Sequence, residues 1–259
     1  MRYPAAIEKV VFFDLPHAPG LRIKGILRGD IKTQPVAIMM HGRPSTGNSL
    51  LQYIGARFLS GRGIATLRLY MYDTEPHTRN LVDCTLQTHV DDFEAVVRAL
   101  RSQGVKQIFG IGHSYGGLTI LKSTVALESA VLWDPAHGLW WVEDREAPFR
   151  KTYPEEQSGE YIIGLAGAGY INSSVAAKTY DEQLGDTSSW AAKEYPLQIV
   201  SAGKGALVDL ADKYMAAAHE PKRHVIVPEA HHNFEDSDAV MLDLFDQTLY
   251  WLARTSPWR

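Results

Sequence analysis

FGIGHSYGGL, residues 109 to 118, runs from an apolar, strand-like start into a serine crowded by glycines. Gly112, Ser114 and Gly116 fit the pattern G-x-S-x-G, and Gly117 follows at once. The pattern makes a steric demand. A serine on a sharp turn from strand to helix takes strained backbone angles, and side chains at the flanking positions would collide. Such a turn lifts the hydroxyl at the carboxyl edge of a sheet, where open α/β sheets place their sites. The backbone N–H of Tyr115 then opens a helix and is a candidate donor to an oxyanion. A glycine-rich connection with an incidental serine would spell the same letters. The flanks decide between them: apolar VKQIFGIG precedes the turn and LTILKSTVAL follows it, the strand and helix that a nucleophile at Ser114 requires.

Outward from that turn, strands and helices alternate. IEKVVFFDL and LRIKGILRG read as strands around the turn PHAPG, an opening antiparallel hairpin. PVAIMMHG reads as a strand buried on both faces, and residues 49–59 as a helix stopped by Gly61 and Gly63. IATLRLYMY is the next strand. HVDDFEAVVRALRSQG is an amphipathic helix, with acids early and arginines late to complement its dipole. AVLWDP is a strand ended by proline. The alternation breaks between residues 136 and 195, a stretch rich in Trp, Tyr, Gly and polar residues that should hold short helices of its own. It resumes with PLQIVSAG, DLADKYMAAAHE, RHVIVPEA and DAVMLDLFDQTLYWLAR. The expectation is one domain over residues 1–259, a mostly parallel sheet with helices on both faces and residues 136–195 inserted between two late strands.

Composition narrows the function classes. A chain of 259 residues, 45% hydrophobic, supports one sizeable core. A net charge of −4 leaves no basic footprint for nucleic acid. Cys84 is the single cysteine, so no internal disulfide forms. The N-terminal MRYPAAIEKVVFFDL lacks the apolar core and cleavage site of a signal peptide, and no run approaches the roughly 18 apolar residues of a membrane helix. Cytoplasmic residence is the expectation. No His/Cys/Asp spacing suggests a metal.

A serine hydroxyl needs a base. PEAHHNF, residues 228 to 234, follows the last strand and offers two histidines, one for the site and one as a solvated or capping neighbour. His113 is read as packed beside the elbow and His41 as a support for the loop it starts; the other histidines read as surface residues. The second oxyanion donor belongs to the loop HGRPSTGN, residues 41 to 48. Pro44 has no N–H, so the backbone of Arg43 is the candidate.

With HGRP after the third strand, GHSYGG at the elbow and AHHNF near the end, the chain resembles the α/β-hydrolase superfamily, in particular its small esterase, lipase and acyl-peptidase-type members. The resemblance covers nearly everything outside the insertion. It implies an eight-stranded sheet, a Ser–acid–His triad and no cofactor. It also implies the pattern A-x-H-x-F at the base, which Ala230, His232 and Phe234 match and which selects His232.

One departure concerns the acid. These members usually carry it after the seventh strand in a pattern like G-x-x-D, and here that place holds Gly205 and Ala206. Asp209 comes a few residues late and reads better as a helix N-cap. Some members place the acid after the sixth strand, where Asp134 leaves AVLWDPA with Pro135 expected to keep it extended. Asp134 is the favoured acid, Asp209 the alternative, and an incomplete triad the third reading.

The function expected is hydrolysis of a small carboxylic ester by Ser114, His232 and Asp134, with Tyr115 and Arg43 at the oxyanion. The insertion 136–195 is expected to cap the site, and Trp140 and Trp141 are candidate substrate contacts, alongside Tyr153, Tyr161, Tyr170, Tyr180 and Trp190. The same aromatics serve equally as the core of the cap. GLAGAGY, residues 164 to 170, reads as a lid hinge or as close helix packing. Thioesterase or acyltransferase chemistry would use the same residues, and a binding protein that kept the fold would not need them. Dehalogenase relatives carry aspartate where Ser114 stands.

Overall fold

Period-two burial in the central strands sets the architecture. In a computed structural model that describes residues 7–43, 45–80, 83–141, 162–165, 169–172 and 184–256, Val36, Ile38 and Met40 face one hydrophobic cluster while Ala37 and Met39 face another. A strand that is apolar on both faces needs helices on both, and the chain supplies them.

The order is β1 (Glu8–Asp14), β2 (Arg22–Arg28), β3 (Val36–Met40), α1 (Leu50–Ser60), β4 (Ala65–Tyr70), α2 (Leu86–Ser102), β5 (Ile108–His113), α3 (Tyr115–Lys122), β6 (Ser129–Trp133), β7 (Ile162–Leu165), β8 (Gly169–Asn172), β9 (Leu197–Ala202), α4 (Val208–Ala217), β10 (Lys222–Val227) and α5 (Asp238–Thr255). Eight strands form one sheet in the order β1-β2-β4-β3-β5-β6-β9-β10. β2 pairs antiparallel with β1 and β4, and every other pair in this sheet is parallel. Residues of α1 and α5 join one cluster, with Leu59 and Phe245 among them. Those of α2, α3 and α4 join the other, with Phe93, Leu118 and Tyr214.

Helix ends follow local side-chain chemistry. α2 starts three residues before the expected HVDD run because Thr85 caps it: the Thr85 hydroxyl accepts from Thr88 N–H, and the Thr88 hydroxyl accepts from Thr85 N–H. At α5 the Ser237 side chain accepts from Val240 N–H, a single cap bond, each such cap contributing ~1 kcal/mol. α3 ends at Lys122 although its sequence reads as helix to Leu127. Ser123 Oγ donates back to Ile120 O, and the N–H of Thr124 leaves the helix for Glu94 Oε1.

Between β6 and β9 the described parts are two single-turn 3-10 segments, Gly138–Trp141 and Ser188–Ala191, and the β7–β8 antiparallel hairpin. The hairpin adds strands that the sequence reading did not include, and it puts Gly164 in β7 and Gly169 in β8, with Leu165 opposite Gly169; Gly167 lies outside the described residues. Residues 142–161, 166–168 and 173–183, with Tyr153, Tyr161 and Tyr180, lie outside the described residues. Among the described residues no helix is long and apolar enough to cross a membrane.

Candidate active site

The carboxyl ends of β3, β5, β6 and β9 converge on one corner of the sheet. At the end of β5 Ser114 takes φ 52° and ψ −116°, a region that costs a non-glycine residue on the order of 1–3 kcal/mol. The flanking glycines make the turn feasible. A Cβ on Gly112 would lie 2.6 Å from the Gly116 backbone, and one on Gly116 would lie 2.5 Å from Met40 O. Strand β6 holds the turn: Ser114 N–H donates to Trp133 O at 2.9 Å, and Ser114 O accepts from Ala136 N–H at 3.0 Å. Tyr115 opens α3.

The loop after β3 is clamped at several points. His41 Nε2 accepts from Met71 N–H at 3.2 Å, which puts the ring proton on Nδ1, and Nδ1–H donates to Gly42 O at 2.8 Å. Burial pushes the His41 pKa down to about 4, so the neutral ring that this geometry needs persists at neutral pH. The Tyr72 hydroxyl donates to Ser45 O at 2.7 Å and accepts from Ser45 N–H at 2.9 Å. The buried Arg68 guanidinium donates to Gly47 O and Asn48 Oδ1. Tyr72 and Arg68 were not singled out from sequence. Their place on β4 and just beyond it, the strand beside β3, is the one signal that could have found them.

Asp134, at the end of β6, is fully buried. Its N–H donates to Val200 O at 2.8 Å, its Oδ1 accepts from Ala202 N–H at 3.1 Å, and its Oδ2 accepts from His232 Nδ1–H at 2.6 Å. The extended backbone expected from Pro135 is not what forms. Asp134 takes φ 43°, and its carboxylate lies within reach of both β9 and the late histidine loop. Gly205 makes room for it, since a Cβ there would sit 3.2 Å from Asp134 Oδ2. Asp209 does not cap α4. Leu207 holds the N-cap position without a side-chain bond, and Asp209 lies exposed in the first turn.

His232 is part-exposed, and its bond to Asp134 leaves Nε2 as the nitrogen open to proton transfer. Its neighbour His231 points away, donating from Nδ1 to Asp236 Oδ1 at 2.5 Å; together with the His231 N–H it holds the Asp236 carboxyl below the usual carboxylate range. Phe234 anchors the loop in the core and takes φ 55°. His232, Ser114, Gly42, Arg43, Ser45 and Asn233 are among the residues lining one cavity of about 120 Å³. A wider hollow of about 380 Å³, beside Asp14, Arg22 and His77, shares no lining residue with it.

Three readings of side chains need amending. His89 and His137 are buried rather than superficial. His89 lies between Tyr72 and Tyr115, and His137 Nε2 reaches Ser188 Oγ at 3.0 Å. Trp190 packs half-buried on the α2–α3 side of the core, under Lys122. The backbones of Trp140 and Trp141 form the 3-10 turn after β6 and Tyr170 lies in β8, but their side chains are outside the described residues, as is Pro44.

A family model described as "Alpha/beta hydrolase family" matches residues 37–244. The chain belongs to the alpha/beta hydrolase family. Solved structures agree on the fold. The alpha/beta hydrolase GrgF from Penicillium sp. sh18 is 16% identical, with 97% of this chain and 100% of that one covered at a TM-score of 0.73. Est1E from Butyrivibrio proteoclasticus, solved with ferulic acid, is 17% identical, with 94% and 99% covered at 0.69. Alpha/beta hydrolase domain-containing protein 10 from mouse is 15% identical, with 96% and 100% covered at 0.68. No curated protein matches the sequence. Membership of this family supports a hydrolase.

Proposed function

We propose that the protein hydrolyses small carboxylic esters through an acyl-enzyme on Ser114. The observation that carries this reading is the buried Asp134 carboxylate bonded to Nδ1 of a histidine that shares a cavity with a positive-φ serine at a strand-to-helix turn. Each part answers a chemical need. Asp134 fixes the His232 tautomer and stabilises the imidazolium. His232 Nε2 takes the Ser114 hydroxyl proton as Oγ bonds to the acyl carbon. The tetrahedral oxyanion is held by the backbone N–H groups of Tyr115 and Arg43. Collapse breaks the ester C–O bond, and the alcohol leaves with the proton from His232. Water, deprotonated by His232, then adds to the acyl carbon, and the acid is released with Ser114 restored.

The chemistry calls on no cofactor, and the partner is a small-molecule ester. The segment 136–195 leaves the sheet directly after Asp134 and serves as the cap, with Trp140 and Trp141 as its substrate contacts. A relative in fold, Est1E, carries ferulic acid in its solved structure, which makes methyl ferulate a useful aryl probe beside p-nitrophenyl acetate and butyrate. Wild-type protein should turn over at least one of the three, and Ser114→Ala should lower kcat by a factor on the order of 10⁴–10⁶. Equal turnover by the two proteins would refute the assignment.

A further inference from the structure

His113 is buried at the last position of β5, next to Ser114, yet it bonds to a residue 119 positions away. Its Nε2 is 2.8 Å from the main-chain carbonyl of His232. A carbonyl only accepts, so the ring carries its proton on Nε2. The two imidazoles also lie against each other, with centroids 4.8 Å apart and planes at 39°. On its other side the ring meets the oxyanion loop: a Cβ on Gly42 would sit 3.0 Å from His113 Nδ1 and 3.0 Å from Ser114 Cβ. His113 therefore touches the backbone of the base, adjoins the nucleophile in sequence and abuts the loop after β3.

We propose that His113 is a positioning residue: its Nε2–H grips the His232 carbonyl, and its ring forms the floor on which the His232 ring rests. The inference rests on the reading of Ser114 and His232 as nucleophile and base. Asp134 holds the His232 ring through Nδ1 and makes no bond to the His232 main chain. The main chain of residues 228–236 follows β10 at the edge of the sheet, and its self-contacts, such as His231 to Asp236, do not tie it to β5. The His113 bond does. It sets the nucleophile–base spacing from the residue directly before the nucleophile, with no long covalent path in between. A displacement of about 1 Å at such a site can cost 10²-fold in rate. The role needs a donor, a reach of one imidazole and a neutral ring, because a charged one would oppose the imidazolium that forms on His232. Burial and the neighbouring His232 push the His113 pKa down to about 3, which meets the last need.

A simple space-filling role makes different predictions. His113→Phe keeps the ring and removes the donor, whereas His113→Gln returns an N–H at a similar reach. The expected result is a kcat about 10- to 100-fold lower in His113→Phe with KM within about twofold, and recovery of most of that loss in His113→Gln. The downfield proton signal of His232 Nδ1–H, bonded to Asp134, should broaden in His113→Phe and persist in His113→Gln. Equal kcat and an equal signal in the two variants would overturn the proposal. Nitrogen NMR of the wild-type ring tests it without any substitution, and so decides the matter if His113→Phe does not fold: protonation at Nε2 near neutral pH supports it, and protonation at Nδ1 overturns it. The test is separable from the esterase reading. Wild-type protein that neither turns over esters nor labels at Ser114 defeats that reading, while the proton signal and the tautomer still report on His113.

Discussion

The turns that end β5 and β6 are neighbours in the sheet, and they solve one problem by different means. Each places a non-glycine residue at positive φ, Ser114 at 52° and Asp134 at 43°. Each projects a polar side chain from the carboxyl edge, and Ser114 N–H donates to the carbonyl of Trp133, the residue before Asp134. The Ser114 turn is also held by bonds to Trp133 and Ala136, but the steric room it needs comes from glycines within its own stretch of chain, whose side chains would strike Gly116 or Met40. The Asp134 turn is made feasible from outside, by Val200 and Ala202 on β9, by His232 and by the missing side chain of Gly205. Strain supported locally leaves a mark in a short sequence window. Strain supported by distant residues does not. Phe234, two residues after His232, adds a third positive φ among the site loops, so three of the four non-glycine residues at positive φ among the described residues lie where the chemistry is proposed, His77 being the exception.

The comparison can be tested at each turn. Beyond the loss of the Ser114 hydroxyl itself, the largest effect is expected at the β6 turn. Asp134→Asn should lower kcat for p-nitrophenyl butyrate by a factor on the order of 10⁴ with KM little changed, whereas Asp209→Asn should match wild type. A large loss in Asp209→Asn would relocate the acid. Next comes the β5 turn. Gly116→Ala forces a methyl group to within 2.5 Å of a carbonyl in β3, where backbone cannot give way cheaply. A loss of about 3 kcal/mol in urea unfolding is expected, and a loss below about 0.5 kcal/mol would show the turn to be looser than described. Gly205→Ala is milder, because its Cβ would meet Ala202 O at 3.0 Å and the Asp134 carboxylate at 3.2 Å. A several-fold fall in kcat at nearly unchanged stability is the expected outcome, and unchanged kcat would mean that Asp134 does not depend on that gap.

A separate effect is one of pH on stability. Burial holds His41 neutral down to about 4 and His113 down to about 3, and keeps the His89 pKa well below its ordinary value. In the unfolded chain each binds a proton near pH 6.5. The unfolded state therefore holds more protons in that window. Stability from these rings is complete above about pH 6.5 and declines as the pH falls toward 3. Urea midpoints should drop steadily from pH 7 to pH 4. A flat profile would mean that the rings are charged or solvated in the folded protein.

Much of the fold was legible because its determinants are local. Apolar strands such as AVLWD and IVSA, the elbow glycines and the alternation of strand and helix all act within a few residues. The succession of strands and helices and the candidacy of Ser114 were legible on those grounds, whereas the eight-stranded sheet and the choice of His232 came from the family resemblance. The twist at Asp134 was not, since Pro135 argues for extended backbone and the opposing bonds come from β9. The burial of His137 depends on Ser188 and Tyr214, 51 and 77 positions on. The early end of α3 depends on Glu94, a residue of α2. The grip of His113 on His232 spans almost half the chain, and no pattern within the elbow announces it.

The central claim is that Asp134 and His232 activate Ser114, and labelling with a fluorophosphonate probe followed by peptide mass spectrometry tests it most directly. The account predicts one adduct, on Ser114, in wild-type protein, formed far more slowly in Asp134→Asn and at the wild-type rate in Asp209→Asn. No adduct on Ser114, or the same labelling rate with and without the Asp134 carboxylate, would contradict it.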